Sequence, residues 1–163
     1  MNSEDLLYFL IALPFAGSAL AAILPANARN TEAWLAGSVM IAAFIIAAGL
    51  YPFISEGEAL RNEIEWLPGS GLNFTLRMDG FAWMFSMLIT GIGFLVVLYA
   101  RYYMSPRDPV PRFFSFLLAF AGAMQGMVIA GNLILLAIFW ELTSILSFLL
   151  IGYWHLNAAA REG

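Results

Sequence analysis

The stretch Leu133-Ile134-Leu135-Leu136-Ala137-Ile138-Phe139-Trp140-Glu141-Leu142-Thr143-Ser144-Ile145-Leu146-Ser147-Phe148-Leu149-Leu150-Ile151-Gly152-Tyr153-Trp154 decides the fold. It is long enough to cross about 30 Å of hydrocarbon at about 1.5 Å per helical residue. Its one carboxylate, Glu141, falls within a few residues of the centre. Placing a charge at that depth costs about 2.5–3.5 kcal/mol on insertion scales, so an acid there points to an ion or proton site.

Working outward, four further runs have the same character: Leu6–Leu24, Ala33–Phe53, Phe81–Tyr103 and Phe113–Ala130. None of them contains an acid. Together the runs predict an all-α polytopic membrane protein with five transmembrane helices. A β-barrel would show alternating stretches of about ten residues instead. Composition agrees, with 62% hydrophobic and only 11% charged residues, against about 25% charged in soluble domains. The chain has no cysteine, which excludes disulfides and thiolate metal sites. Its net charge of −4 gives no reason to expect a nucleic-acid partner, and no cofactor is expected. The leading Met1-Asn2-Ser3-Glu4-Asp5 is acidic where a secretory signal would be basic, so the first run reads as a helix that is kept.

The chain contains no lysine, and its arginines set the orientation. Arg29, Arg101, Arg107, Arg112 and Arg161 fall on one side, while Arg61 and Arg77 lie in the longest loop on the other. The positive-inside bias then places the N-terminus outside and the C-terminus in the cytoplasm. Trp34, Tyr51, Trp83, Tyr102, Tyr103, Tyr153 and Trp154 sit at run ends, as interfacial aromatics do.

The organisation follows as residues 1–53 for helices one and two, 54–80 for an extracytoplasmic loop, 81–130 for helices three and four, and 131–163 for helix five and a tail. Within the loop, Leu72-Asn73-Phe74-Thr75-Leu76-Arg77 alternates apolar and polar after Ile64-Glu65-Trp66-Leu67 and the turn-forming Pro68-Gly69-Ser70-Gly71. This predicts a short β-hairpin. Its acids, including Glu56, Glu58, Glu63, Glu65 and Asp79, read as a solvated face.

Gly131-Asn132 is a short join, so helices four and five should form a tight antiparallel hairpin. Helix four carries the small residues Ala119, Gly122, Ala123, Gly126 and Ala130, which permit close helix approach. Gln125 lies at the edge of that stripe and at a depth similar to Glu141, so it faces protein, where an interhelical hydrogen bond is its ordinary role and one that supports Glu141 is the alternative. Ser144, three residues past Glu141, shares its face and is the second expected support. Thr143 and Ser147 read as bonded to their own helix backbone. Pro14, Gly91 and Gly93 read as packing features. His155 stands at the end of helix five, where the helix terminus explains it. Burial favours a neutral acid and a nearby cation favours the carboxylate, so Glu141 can load and release a proton as a partner moves. No arginine lies deep enough in these runs to be that partner.

Several segments together resemble a known family. They are Leu76-Arg77-Met78-Asp79-Gly80-Phe81-Ala82-Trp83, the run from Ile89-Thr90-Gly91-Ile92-Gly93 to Tyr99-Ala100-Arg101-Tyr102-Tyr103-Met104, Arg112-Phe113-Phe114, Gly131-Asn132-Leu133, Phe139-Trp140-Glu141-Leu142-Thr143-Ser144 and Ser147 to Trp154. In order and spacing they resemble the A-type subunit of the Mrp-type multisubunit sodium/proton antiporters. The antiporter-like large chain of respiratory complex I, a proton-pumping NADH-quinone oxidoreductase, shares the Trp-Glu pair but typically has glycine after the glutamate, where this chain has Leu142. The resemblance implies the N-terminal fragment of a protein of about fourteen helices in a bacterial plasma membrane. It implies that Glu141 is a proton carrier working with lysines on later helices, that transport is coupled to sodium export, and that the partners are other antiporter subunits, monovalent cations and lipid. It implies a transporter component rather than an enzyme. A non-transporting scaffold or truncated product remains open.

Overall fold

The computed structural model describes residues 5–25, 29–55, 57, 59–67, 72–105 and 110–154. The expected turn at 68–71, Glu56, Glu58, Arg107, His155 and Arg161 lie outside the described residues.

Long apolar runs become helices because the bilayer interior offers the backbone no other hydrogen-bond partner. They are α1 (Asp5–Ile23), α2 (Arg29–Gly49), the single turn α3 (Tyr51–Ile54), α4 (Gly80–Tyr103), α5 (Val110–Val128) and α6 (Leu133–Ile151). Gly152–Trp154 closes α6 with a 3-10 turn. Two ends are set by side-chain caps. The Ala82 amide donates to Asp79 Oδ1 at 2.9 Å at the start of α4, and the Leu135 amide donates to Asn132 Oδ1 at 2.8 Å at the start of α6. Pro111 stands in the first turn of α5, where its missing N–H costs nothing.

The expectation of five spans is met only in part. Among the described residues, four helical stretches are long and apolar enough to cross a membrane: Asp5–Ile23, Arg29–Ile54, Gly80–Tyr103 and Leu133–Ile151. The remaining long helix, α5, has the 19-residue length of α1 and α6. Pro111, Arg112, Ser115, Gln125 and two glycines dilute its apolar character. It is the central helix of the bundle, packing on α1 most extensively and also on α6, α2 and α4.

Small residues bring these helices together. Gly122 receives Pro14 and Phe15 of α1, and a Cβ on Gly126 would collide with the Phe139 ring of α6. The small-residue stripe therefore serves packing on both sides of α5. Gly91 and Gly93 similarly face Phe44 and Met40 of α2.

At the opposite end from Arg29, Arg101 and Arg112 stands the expected hairpin. Strands β1 (Leu60–Leu67) and β2 (Leu72–Met78) are antiparallel, with Ile64 opposite Phe74 and Leu60 opposite Met78. The second edge of β2 is also used. The Arg77 amide donates to the Ile129 carbonyl at 2.8 Å, and the Gly131 amide donates to the Thr75 carbonyl at 2.8 Å. Leu76 thereby bridges Ala130 in the connection between α5 and α6. Asn132 adds a third link by donating its side-chain N–H to the Asn73 carbonyl at 2.7 Å. Tyr8 of α1 stacks on Phe74, so the hairpin lies against the end of the bundle. Gly131 is needed here, since a Cβ would stand 2.9 Å from the Thr75 carbonyl oxygen.

Asn132 thus caps α6 and ties it to β2 with the same side chain. Asn132→Ala is expected to cost about 1–2 kcal/mol, read as a lower thermal midpoint in detergent. Asn132→Asp keeps the cap oxygen and loses only the donor to Asn73, so its midpoint should fall between the two.

Candidate functional site

Glu141 lies in the middle of α6, and its side chain is exposed. Ile134, Ile138, Ile145 and Phe148 share its face at helical spacing and are exposed too, Phe148 by 74%. The helix buries only Leu135, Phe139 and Leu146 fully, the first two with the hairpin-end core and the third against Ala119 and Ala123 of α5. The result is an apolar stripe with one acid at its centre, turned away from the other helices. Among the described residues Glu141 has no hydrogen-bond or ion-pair partner.

Neither candidate support bonds Glu141. Ser144 does share the Glu141 side of the helix, but its hydroxyl donates to the Trp140 carbonyl at 3.3 Å. Thr143 donates to the same carbonyl at 2.6 Å, as helical hydroxyls commonly do. Thr143, Ser144 and Ser147 line one flank of a shallow groove of about 330 Å³, whose other wall is Phe120, Met124 and Met127 of α5. Ser144 marks the rim between this groove and the Glu141 stripe.

Gln125 is fully buried on the far side of α5, facing protein as its place in the stripe implies, and its interhelical bond is not to Glu141. Its amide donates instead to the Ser86 carbonyl of α4 at 3.2 Å, which also accepts the Thr90 hydroxyl at 2.8 Å. Gln125 and Glu141 share a depth without sharing a face, because Gly126 and Phe139 occupy the α5–α6 contact between them. Gln125 Oε1 and the Ser86 hydroxyl are buried without partners among the described residues. Such atoms suit a bridging water.

Sequence reasoning misses a second acid. Glu32 falls in the expected loop before the second run, yet α2 begins at Arg29 and brings Glu32 into its first turn. Its side chain is fully buried, and neither carboxylate oxygen has a hydrogen-bond partner among the described residues. Arg29 does not meet it, donating instead to the Met104 carbonyl at 3.0 Å. The signal is present in the spacing, since Glu32, Ala36, Val39, Met40, Ala43 and Ala47 are all buried on one helical face. The helix N-terminus favours negative charge at that position.

Among the described residues, four helices long and apolar enough to cross a membrane, one with an acid at its middle, define a multi-pass membrane protein. Comparison with known proteins narrows this class. The family model for the N-terminus of chain 5 of NADH-ubiquinone oxidoreductase (complex I) matches residues 66–114. A probable K(+)/H(+) antiporter A/B subunit of Rhizobium meliloti (strain 1021) is 60% identical over 99% of this chain and 16% of its own length. A Na(+)/H(+) antiporter A1 subunit of Staphylococcus aureus is 39% identical over 98% of this chain and 20% of its own length. A chain in the structure of the Mrp complex from Dietzia sp. DQ12-45-1b superposes with a TM-score of 0.74 at 27% identity, covering 89% of this chain and 16% of that one. The chain is thus a homologue of the A-type subunits of Mrp-type cation/proton antiporters, spanning about a fifth or less of their length. These relatives are named as antiporter subunits.

The buried polar groups can be separated by substitution. Gln125→Ala removes the bond to Ser86 and opens a cavity, and should lower stability by about 1–3 kcal/mol in detergent melts. Glu32→Met removes two unpaired buried oxygens and no hydrogen bond, so its thermal midpoint should equal or exceed that of the unsubstituted protein.

Proposed function

We propose that this chain forms part of the A-type subunit of a monovalent cation/proton antiporter, and that Glu141 carries protons in its translocation path. The observation that carries this reading is the isolated acid at the middle of α6, exposed on an otherwise apolar stripe and unpartnered among the described residues. A carboxylate at that depth needs a cationic or polar partner, and relatives five or more times longer have ample chain to supply one. A basic side chain closing on the stripe would favour the carboxylate, and its withdrawal would favour the neutral acid, which moves one proton per cycle.

In this reading the chain works with the other subunits of a multisubunit complex in the bacterial plasma membrane, its hairpin outside and its arginine-bearing end in the cytoplasm. Ser144 stands beside Glu141 as the residue able to hold a water at the rim of the hydroxyl groove, while Gln125 serves the α4–α5 contact. Sodium is the cation that the family resemblance implies. The name of the relative with 60% identity points to potassium, so both belong in the test. A second reading, a proton-pumping chain of NADH-quinone oxidoreductase, is favoured by the family model matched at 66–114. That match stops short of α6 and its acid.

The test is cation-driven proton movement in inverted membrane vesicles carrying the full-length protein in its complex. Glu141→Ala is expected to abolish exchange with both sodium and potassium, and Glu141→Asp to retain it. Exchange at the unsubstituted rate in Glu141→Ala would overturn the assignment of Glu141. Proton movement that requires NADH and ignores both cations would favour the second reading.

A further inference from the structure

Glu141 stands on a helix of 19 residues that fully buries only Leu135, Phe139 and Leu146. The Phe139 ring against Gly126 fixes one point of contact with α5. One point sets neither the depth nor the azimuth of a helix, and a slip of one residue would move Glu141 by about 1.5 Å and about 100°. We propose, on the reading of Glu141 as the proton carrier, that Asn132 positions it by clamping the start of α6 to strand β2.

The clamp uses both ends of one planar amide. Asn132 Oδ1 accepts from the Leu135 amide at 2.8 Å within the first turn of α6, and the side-chain N–H donates to the Asn73 carbonyl of β2 at 2.7 Å. Oxygen and nitrogen are fixed in one plane, so turning α6 about its axis breaks one bond or the other, and sliding it breaks the bond to β2. The neighbouring backbone is held to the same strand, with the Gly131 amide donating to the Thr75 carbonyl at 2.8 Å. The first turn of α6 is otherwise Leu133, Ile134, Leu135 and Leu136, so no side chain there duplicates the clamp.

What the clamp grips is itself fixed. Strand β2 pairs with β1 along one edge and with the α5–α6 connection along the other. Its Leu76 and Met78 are fully buried, in one core with Leu7 and Leu10 of α1 and with Leu50 at the end of α2. Asn73 is braced from the other side, its side-chain N–H donating to the Glu63 carboxylate of β1. From Asn132 to Glu141 the chain runs nine residues, about 13.5 Å, along one unbroken helix. A helix without a break carries the position of its start to its middle, so the bond between Asn132 and Asn73 sets where the acid stands.

The experiment is a double-mutant cycle in the full-length protein within its complex. It is read as the initial rate of cation-driven proton movement in inverted vesicles, normalised to the amount of folded protein. The variants are Asn132→Asp, which keeps the cap oxygen and loses the donor to Asn73, Glu141→Asp, which shortens the acid by one methylene, and the two together. Sites about 13.5 Å apart with no shared partner act independently, so a merely structural loss at Asn132 multiplies with the effect of Glu141→Asp. Positioning gives a different result: the double variant should exchange at least about fivefold more slowly than the product of the single effects, because a displaced helix needs the full reach of the glutamate. Asn132→Ser, a good N-cap whose side chain is too short for Asn73, should show the same coupling without the added charge of an aspartate. Rates equal to or above the product in both cycles, with Glu141→Ala still inactive, would overturn the positioning role alone. Exchange at the unsubstituted rate in Glu141→Ala would overturn the reading of Glu141 and this role with it.

Discussion

The position of Glu141 depends on the backbone bonds between β2 and the α5–α6 connection. Within the described residues, α6 packs on α5 along one face and otherwise touches little. What fixes its start is the Arg77 amide on the Ile129 carbonyl, the Gly131 amide on the Thr75 carbonyl, and the two bonds of Asn132. These satisfy polar groups at a helix–helix turn that would otherwise have to be solvated at the membrane surface. They also make the hairpin the fixed end of α6, so the exposed middle of that helix is held without being covered.

How much of this is legible from the sequence depends on whether a feature is local or relational. The helices, the hairpin and the acid in the last run follow from residues near one another: apolar length, alternation, and one charge in an uncharged stretch. The outer β1 strand begins earlier than its alternation suggests, at Leu60, because it pairs across to Met78. Gln125 shows the opposite case. Its depth can be counted from the turn, but its azimuth decides its partner, and that depends on which neighbour fills the space beside Gly126. Phe139 fills it, which rotates Gln125 toward Ser86 of α4. Glu32 lies one residue outside the expected run, where it reads as loop. Only the docking of α2 against α4 and α5 shows that its face is the buried one.

The two acids illustrate how the same chemical group takes different roles. Glu32 is enclosed by this chain in the first turn of α2, where burial opposes its charge. Glu141 sits mid-helix, where backbone amides and carbonyls are already paired within α6 and offer it nothing. Whatever stabilises charge on Glu141 must therefore come from a side chain, water or ion outside the helix. This distinguishes a structural carboxylate from one open to a moving partner.

The same reasoning separates the surfaces of the bundle. The α4–α5 groove has no polar lining side chain. The α6 stripe has its polar group in the middle, at a depth where a lipid chain supplies no partner for it. A face with a central acid flanked by Ile138 and Ile145 calls for a complementary helix with a central polar or basic residue.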